Sequence, residues 1–353
     1  MISLEEYKND INANLLIMSR TANGVLDFSS SKSKANDIKV SNGKKASKIA
    51  RENYNRAIEF AYNNRNRKFL STLEIKSFVE EIALIINEGI TADNVLYRHG
   101  EESVLYNYVS IKDIDAAIES YTSKIIGNVN SENFDPYYCA AISEYFINMH
   151  GHFFADGCGK TSMIVSAYWF MRAGIKVASY ISKNFYYSFE PKTSKESKAD
   201  INRFISYIRI IHNLKDYWYE HQNTIAENAG LYNVTFLEED VLFDALKGNR
   251  NTHTMYYDYE KKRNNLMPQK DNYSIIVNNE YKPFGIIKYT DVKECKFREV
   301  PFEYALKENK GDCTLAYWKF KYQELFEKQA LEKNLTFSIF SKVLLCEFEL
   351  IKK

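Results

Sequence analysis

The stretch His150-Gly151-His152-Phe153-Phe154-Ala155-Asp156-Gly157-Cys158-Gly159-Lys160-Thr161 sits between two segments of strong helical character. Ahead of it, Asp135-Pro136 supplies a cap and a first-turn proline, which predicts a helix running to about Met149. Behind it, Thr161 to Arg172 is apolar at helical spacing and stops at Gly174. A helix–loop–helix of this kind turns the N–H groups and the positive dipole end of the second helix toward the loop. Gly157 and Gly159 would let the backbone approach an anion closely, so the loop suits a polyphosphate. A histidine, an aspartate and a lysine in the same loop add a base, a metal ligand and a phosphate cation. The Gly159-Lys160-Thr161 triplet is not a P-loop, because GxxxxGK[ST] needs glycine at 154, where Phe154 stands, and no strand precedes the loop.

Outward from this loop, apolar residues keep helical spacing from Ser47 to about Ile225, as in Tyr54, Ala57, Ile58 and Ala61 or Phe78, Ile82, Ile85 and Ile86. Residues 28–45, rich in Ser, Lys and Asn, read as an exposed connector after an N-terminal helix. Val95 to Val109 places β-branched and aromatic residues on both sides of His99-Gly100-Glu101-Glu102, the pattern of a short hairpin, with a bulky covering loop as the alternative. A polar helix over Asp216–Asn228 leads to a change of pattern. Beyond Gly230, strand-like runs at Ser274–Asn278, Phe284–Val292 and Val343–Ile351 surround one amphipathic helix near Leu315–Lys333. The class is α+β in two domains: residues 1–230, mainly helical, with 1–45 as N-terminal helix and connector, and residues 231–353, small and β-rich.

Bulk properties exclude more than they suggest. A formal net charge of +1 over 353 residues gives no whole-chain field for nucleic acid or a membrane surface. No apolar run approaches the roughly 20 residues of a membrane-spanning helix, and the N-terminus is acidic, so a soluble cytoplasmic protein is expected. Cys139, Cys158, Cys295, Cys313 and Cys346 are scattered without CxxC pairing, which indicates neither a disulfide frame nor a zinc site.

The central segment resembles the signature HPFxxGNGR of Fic-family nucleotidyltransferases: His152, Phe154, Gly157 and Gly159 match, and Asp156 stands at the frequent acidic position. The segments Ala50–Ala61, NFYYSF and DINRFISYI resemble that family's flanking helices, and Val95–Val109 sits where it places a target-binding flap. The resemblance covers residues 1 to about 225 and implies ATP or another nucleotide, with Mg²⁺, as cofactors. His152 would deprotonate a Ser, Thr or Tyr hydroxyl of a protein substrate. Asp156 would hold the metal, and the backbone at Gly157, Cys158 and Gly159, with Lys160, would bind phosphate. Three positions depart from the signature. Proline is Phe153, asparagine is Cys158, and arginine is Lys160, which keeps charge but loses a bidentate fork. His150, two residues upstream, is read as a helix-end cap. Ser19 and Asn23 fall in the frame of the family's inhibitory motif [ST]xxx[ED][GN], with an amide where its acid belongs; relaxed inhibition and accidental resemblance both stay open.

Residues from about 234 to 351 resemble the ASCH domain, a PUA-like β-barrel associated with RNA. ALKGNRNTHT (245–254), both central strands and ENKGDCTLAYWKFKYQELFEKQ (308–329) carry the likeness. Some relatives hydrolyse acetylated cytidine with a Lys, Thr and Glu. Here Thr254 and Glu308 take the last two positions, and Asn251, or Arg250 if the loop slips by one, takes the first. RNA or a modified nucleoside is therefore the expected ligand, with Arg250, Thr254, Asp312 and Trp318 as cleft candidates, although Trp318 also suits a core position. Three functions follow: transfer of AMP to a protein hydroxyl, nucleotide and RNA binding without catalysis, and amide hydrolysis of modified cytidine through the second domain.

Overall fold

The computed structural model describes residues 2–18, 44–92, 95–99, 107–181, 183–222, 225, 231–237, 239–262, 267–308 and 311–352. The chain divides into two compact units, Met1–Tyr180 with Phe185–His212, and Ile181–Asn184 with Asn213–Lys353. Among the described residues no helix is long and apolar enough to cross a membrane.

The first unit is helical: α1 (Leu4–Met18), α2 (Lys44–Asn63), α3 (Thr72–Asn87), α4 (Ile114–Val129), α5 (Pro136–Glu144), α6 (Cys158–Ala173), the short α7 (Lys183–Tyr187) and α8 (Lys198–Gln222), the last two running across the division between units. Asp135 caps α5 as its sequence predicts, its carboxylate accepting the N–H groups of Tyr137 and Tyr138 at 3.0 and 3.2 Å. At Tyr145–His150 the helix widens into a π-turn. The second helix of the loop begins three residues earlier than its apolar run suggests and ends at Gly174, whose φ of 70° closes it in the left-handed region. α6 is the centre of the unit: Cys158 and every residue from Thr161 to Met171 are buried, which an axis surrounded by other helices requires. Tyr168 packs its ring 4.4 Å from Phe78 of α3, and Trp169 donates its indole N–H to Ser143 of α5 at 2.9 Å.

The second unit is a mixed five-stranded sheet, curled into an open half-barrel, of β1 (Leu231–Phe236), β2 (Thr252–Tyr256), β3 (Tyr273–Val277), β4 (Pro283–Lys296) and β5 (Lys342–Lys352), ordered β1-β3-β4-β5-β2. β1 runs parallel to β3, and the other neighbours are antiparallel. α9 (Glu239–Lys247), α10 (Tyr257–Lys262), α11 (Phe302–Lys307) and α12 (Leu315–Glu332) complete it. The period of two along β5 separates two cores. Val343 and Leu345 join Tyr256, Trp318, Tyr322 and Phe326 on the α12 face, and Leu344, Cys346 and Phe348 join Val241 and Leu242 on the α9 face.

Candidate functional site

The loop between α5 and α6 is held from outside by the segment read as a hairpin. Residues 100–106, the middle of the expected hairpin, lie outside the described residues; among the described ones both flanks bond to the loop. Arg98 N–H donates to Phe153 O at 3.1 Å, Ala155 N–H to Leu96 O at 2.9 Å, and Val109 N–H to His150 O at 2.9 Å. Both flanks thus line the His150–Ala155 segment. Buried Arg98 adds its side chain: Nε donates to His152 O at 2.8 Å, and the guanidinium reaches the carbonyls of Gly151 and Val109. The aromatic sequence reading passed over this arginine, since nothing local reveals that it gathers carbonyls more than fifty residues away.

His152 has φ +45°, in the left-handed region that a β-carbon disfavours, and such strain persists where the surroundings over-determine it. Here the Arg98 bonds and one contact of the ring itself do so. The Nδ1 atom lies 3.0 Å from Asn148 O; a carbonyl only accepts, so Nδ1 carries the hydrogen and Nε2 keeps its lone pair. The ring stacks on Tyr108 at 4.1 Å with planes 4° apart. Burial, with the positive charge of Arg98 adding to it, pulls the imidazole down to about 4, against the opposing bond from Asn148. The ring is neutral at physiological pH, with Nε2 able to take a proton.

Gly157 caps α6 at φ 73°, and a β-carbon there would meet Asn87 Oδ1 at 2.8 Å. Its N–H donates to Asp156 Oδ1 at 2.6 Å. The Gly157 N–H named as a phosphate ligand is engaged here by the Asp156 carboxylate, and the first turn of α6 begins at Cys158. That turn is formed by Cys158, Gly159 and Lys160, and the start of a helix carries the positive end of its dipole. The Cys158 side chain turns inward, Sγ donating to Phe154 O at 3.4 Å while lying 3.2 Å from Phe154 N, so it braces the loop. Lys160 is half-buried. Among the described residues no group of three or more His, Cys, Asp or Glu stands together as a metal cage. One buried carboxylate, Asp156, is nonetheless the donor set that suits Mg²⁺ shared with substrate phosphates. Ser19 and Asn23 lie outside the described residues. Among the described residues His150 Nδ1 has no hydrogen-bond partner, so it does not cap there; the ring is buried, stacked 5.0 Å from Tyr145, and burial pulls it down to about 4.

In the second unit a buried polar cluster stands on the α12 side. Glu308 accepts from Thr254 Oγ1 and from Trp318 Nε1, both at 2.8 Å, and pairs with the Arg250 guanidinium at 3.2 Å. Arg250 also donates to Thr252 O and to the Tyr322 hydroxyl. Arg250 is the residue that stands beside Thr254 and Glu308, whereas Asn251 is exposed and its backbone carbonyl accepts from Phe348 N–H. Asp312 is also outside the cluster, exposed and binding Thr314 in a turn. Trp318 is a core residue, stacked on Phe297.

Residues 231–352 match the family model of the ASCH domain. Solved structures similar to the chain include an ASCH domain of Lactobacillus crispatus (21% identity, TM-score 0.35, covering 41% of this chain and 95% of that one). A protein of Enterococcus faecalis shares 19% identity at a TM-score of 0.36 over 40% and 90% of the two chains. A Fic-domain-containing signalling protein of Bacteroides thetaiotaomicron shares 18% identity at 0.38 over 50% and 73%. None of the curated proteins matches. The molecule is a two-unit protein in which a helical unit precedes a curled mixed sheet. Residues 231–352 of the second unit carry the ASCH-domain match.

Proposed function

We propose that the first unit transfers AMP from ATP to a Ser, Thr or Tyr hydroxyl of a protein substrate. The observation that carries this reading is His152: an imidazole held neutral, with Nδ1–H fixed on Asn148 O, in the loop that opens α6. Nε2 accepts the proton of the attacking hydroxyl, the hydroxyl oxygen bonds to the α-phosphorus, and the bond from that phosphorus to the departing pyrophosphate breaks. The first-turn N–H groups of Cys158, Gly159 and Lys160, with the Lys160 ammonium, stabilise phosphate charge. Asp156 would hold Mg²⁺, which neutralises phosphate charge when bound. The ASCH domain binds RNA or a modified nucleoside in this reading, and a cytoplasmic location accords with five free cysteines.

Incubation of the full chain with Mg²⁺ and ATP labelled at the α-phosphate, beside a γ-labelled control, tests the transfer. Label from the α position alone is expected on the protein itself or on lysate proteins, and His152→Ala abolishes it. Tight ATP binding without transfer of any of the four nucleotides would favour the second reading, a nucleotide- and RNA-binding regulator, which rests on Lys160 and Cys158 replacing the signature's arginine and asparagine.

A further inference from the structure

Behind His152 the structure holds polar groups that the transfer chemistry leaves unused. Asn148 stands in the π-turn Tyr145–His150, is buried, and acts in two directions. Its carbonyl holds His152 Nδ1 at 3.0 Å, and its side-chain amide donates to the Tyr186 hydroxyl at 3.1 Å. The same amide faces the helix start: a β-carbon on Gly159 would lie 3.5 Å from Asn148 Oδ1. Tyr186 accepts from Asn148, so its own proton is turned toward another acceptor, and the carboxyl it faces is that of Glu144. Glu144 is 1% exposed and accepts the Tyr180 hydroxyl at 2.8 Å. Tyr180 is fixed in turn by α1, since its N–H donates to Asn14 Oδ1 at 2.8 Å.

Burial of an acid among aromatic rings is costly and is tolerated where hydrogen bonds compensate it. Glu144 and Asn148 from one helical run and Tyr186 from α7 converge here, behind the His152 ring. Asn148 stands in the last turn of this helical run, where carbonyls lack helical donors, and its carbonyl is the one that fixes the imidazole.

We infer that Asn148, Tyr186 and Glu144 form a buried brace of positioning residues that fixes the tautomer and direction of the His152 imidazole. The inference rests on the transferase reading for its consequence, but its structural content is open to a separate measurement. Nitrogen-15 labelling of histidine in the full chain reports which ring nitrogen of His152 carries the proton, with His152→Ala assigning the signal. The wild type is expected to show one tautomer, with Nδ1 protonated. Tyr186→Phe, which deletes only the hydroxyl of the brace, and Asn148→Ala are expected to give a mixture of tautomers. In the labelled-ATP assay both variants lower kcat by about tenfold or more while KM for ATP stays within about twofold, because the group moved is the base and not the phosphate cradle. A purely structural role would lower the fraction of folded protein and leave the tautomer of the folded part unchanged. A wild-type ring protonated at Nε2, or a tautomer unaltered in both variants, overturns the brace. Absence of transfer by the wild type with the expected spectra would overturn the transferase reading and leave the brace standing.

Discussion

Glu144 and His152 lie on the two sides of Asn148, and burial pushes them in opposite directions. The Glu144 carboxyl rises from its ordinary 4.5 to about 7, because desolvation outweighs its bonds from Tyr180, Ser166 and Tyr186. The folded protein therefore binds a proton that the unfolded chain has already released, and this contribution to stability is lost as pH rises from about 4.5 through about 7. Glu144→Gln removes the dependence. In denaturant melts the variant should gain on the wild type by about 2 to 4 kcal/mol between pH 5 and pH 8; a constant difference would show that the carboxyl is not buried. The histidines act with the opposite sign. His150 and His152 fall to about 4 and His253 to about 3, all from burial, so their stabilisation is present above the unfolded value near 6.5 and is lost as pH falls through those values. Because His152 is neutral well below neutrality, the transfer rate should be flat on the acid side from roughly pH 8 to pH 6, and a pH profile falling steeply below about 7 would count against a free Nε2. His152, Asp156 and Lys160 could be named as candidates from the sequence because they fall within one short loop and the turn after it. Asn148 and Arg98 were not, since their value comes from carbonyls that only the folded chain brings within reach.

At the level of elements, the start of α6 carries the site. Gly157 is required twice over, by a φ of 73° and by Asn87 Oδ1, which a β-carbon would meet at 2.8 Å. Gly157→Ala should cost about 1 to 3 kcal/mol of stability and weaken ATP binding at least tenfold by calorimetry, since relief of the clash shifts the first turn. Full affinity in that variant would move the phosphate site elsewhere. Long periodic elements were read correctly from spacing: α3, α12, β4 and β5 lie close to their sequence expectations. The short β1, β2 and α9 were not singled out, whereas the equally short β3 was, because its SIIV run is continuously apolar and the others are interrupted by polar residues. The strand character around Leu96 to Arg98 is real, yet it serves pairing with Phe153–Ala155, a partner no local pattern could name.

On the scale of the whole molecule, two units carry two polar clusters of different kinds. In the ASCH domain Glu308 is saturated by Thr254, Trp318 and Arg250. Thr254 donates its hydroxyl to one oxygen of Glu308, and Trp318 and Arg250 take the other, so the cluster is read as structural rather than hydrolytic. N4-acetylcytidine should remain intact after prolonged incubation, as read by chromatography; release of cytidine would show that the cluster is catalytic. Arg250→Met, which leaves Glu308 buried without its cation, should destabilise the protein by about 3 to 5 kcal/mol in denaturant melts. That the chain has two parts, helical then β-rich, was legible from the change in period. The identity of the cation beside Glu308 was not, because Arg250 and Asn251 are adjacent and only the course of the chain into β2 separates them. The account as a whole depends on one arrangement, a nucleotide seated at the start of α6 before His152. A crystal of the protein soaked with ATP and Mg²⁺ tests it most directly. The account predicts phosphates against Cys158, Gly159 and Lys160 with His152 Nε2 turned to the α-phosphate; an empty loop, or a triphosphate bound with His152 turned away from it, would contradict the account.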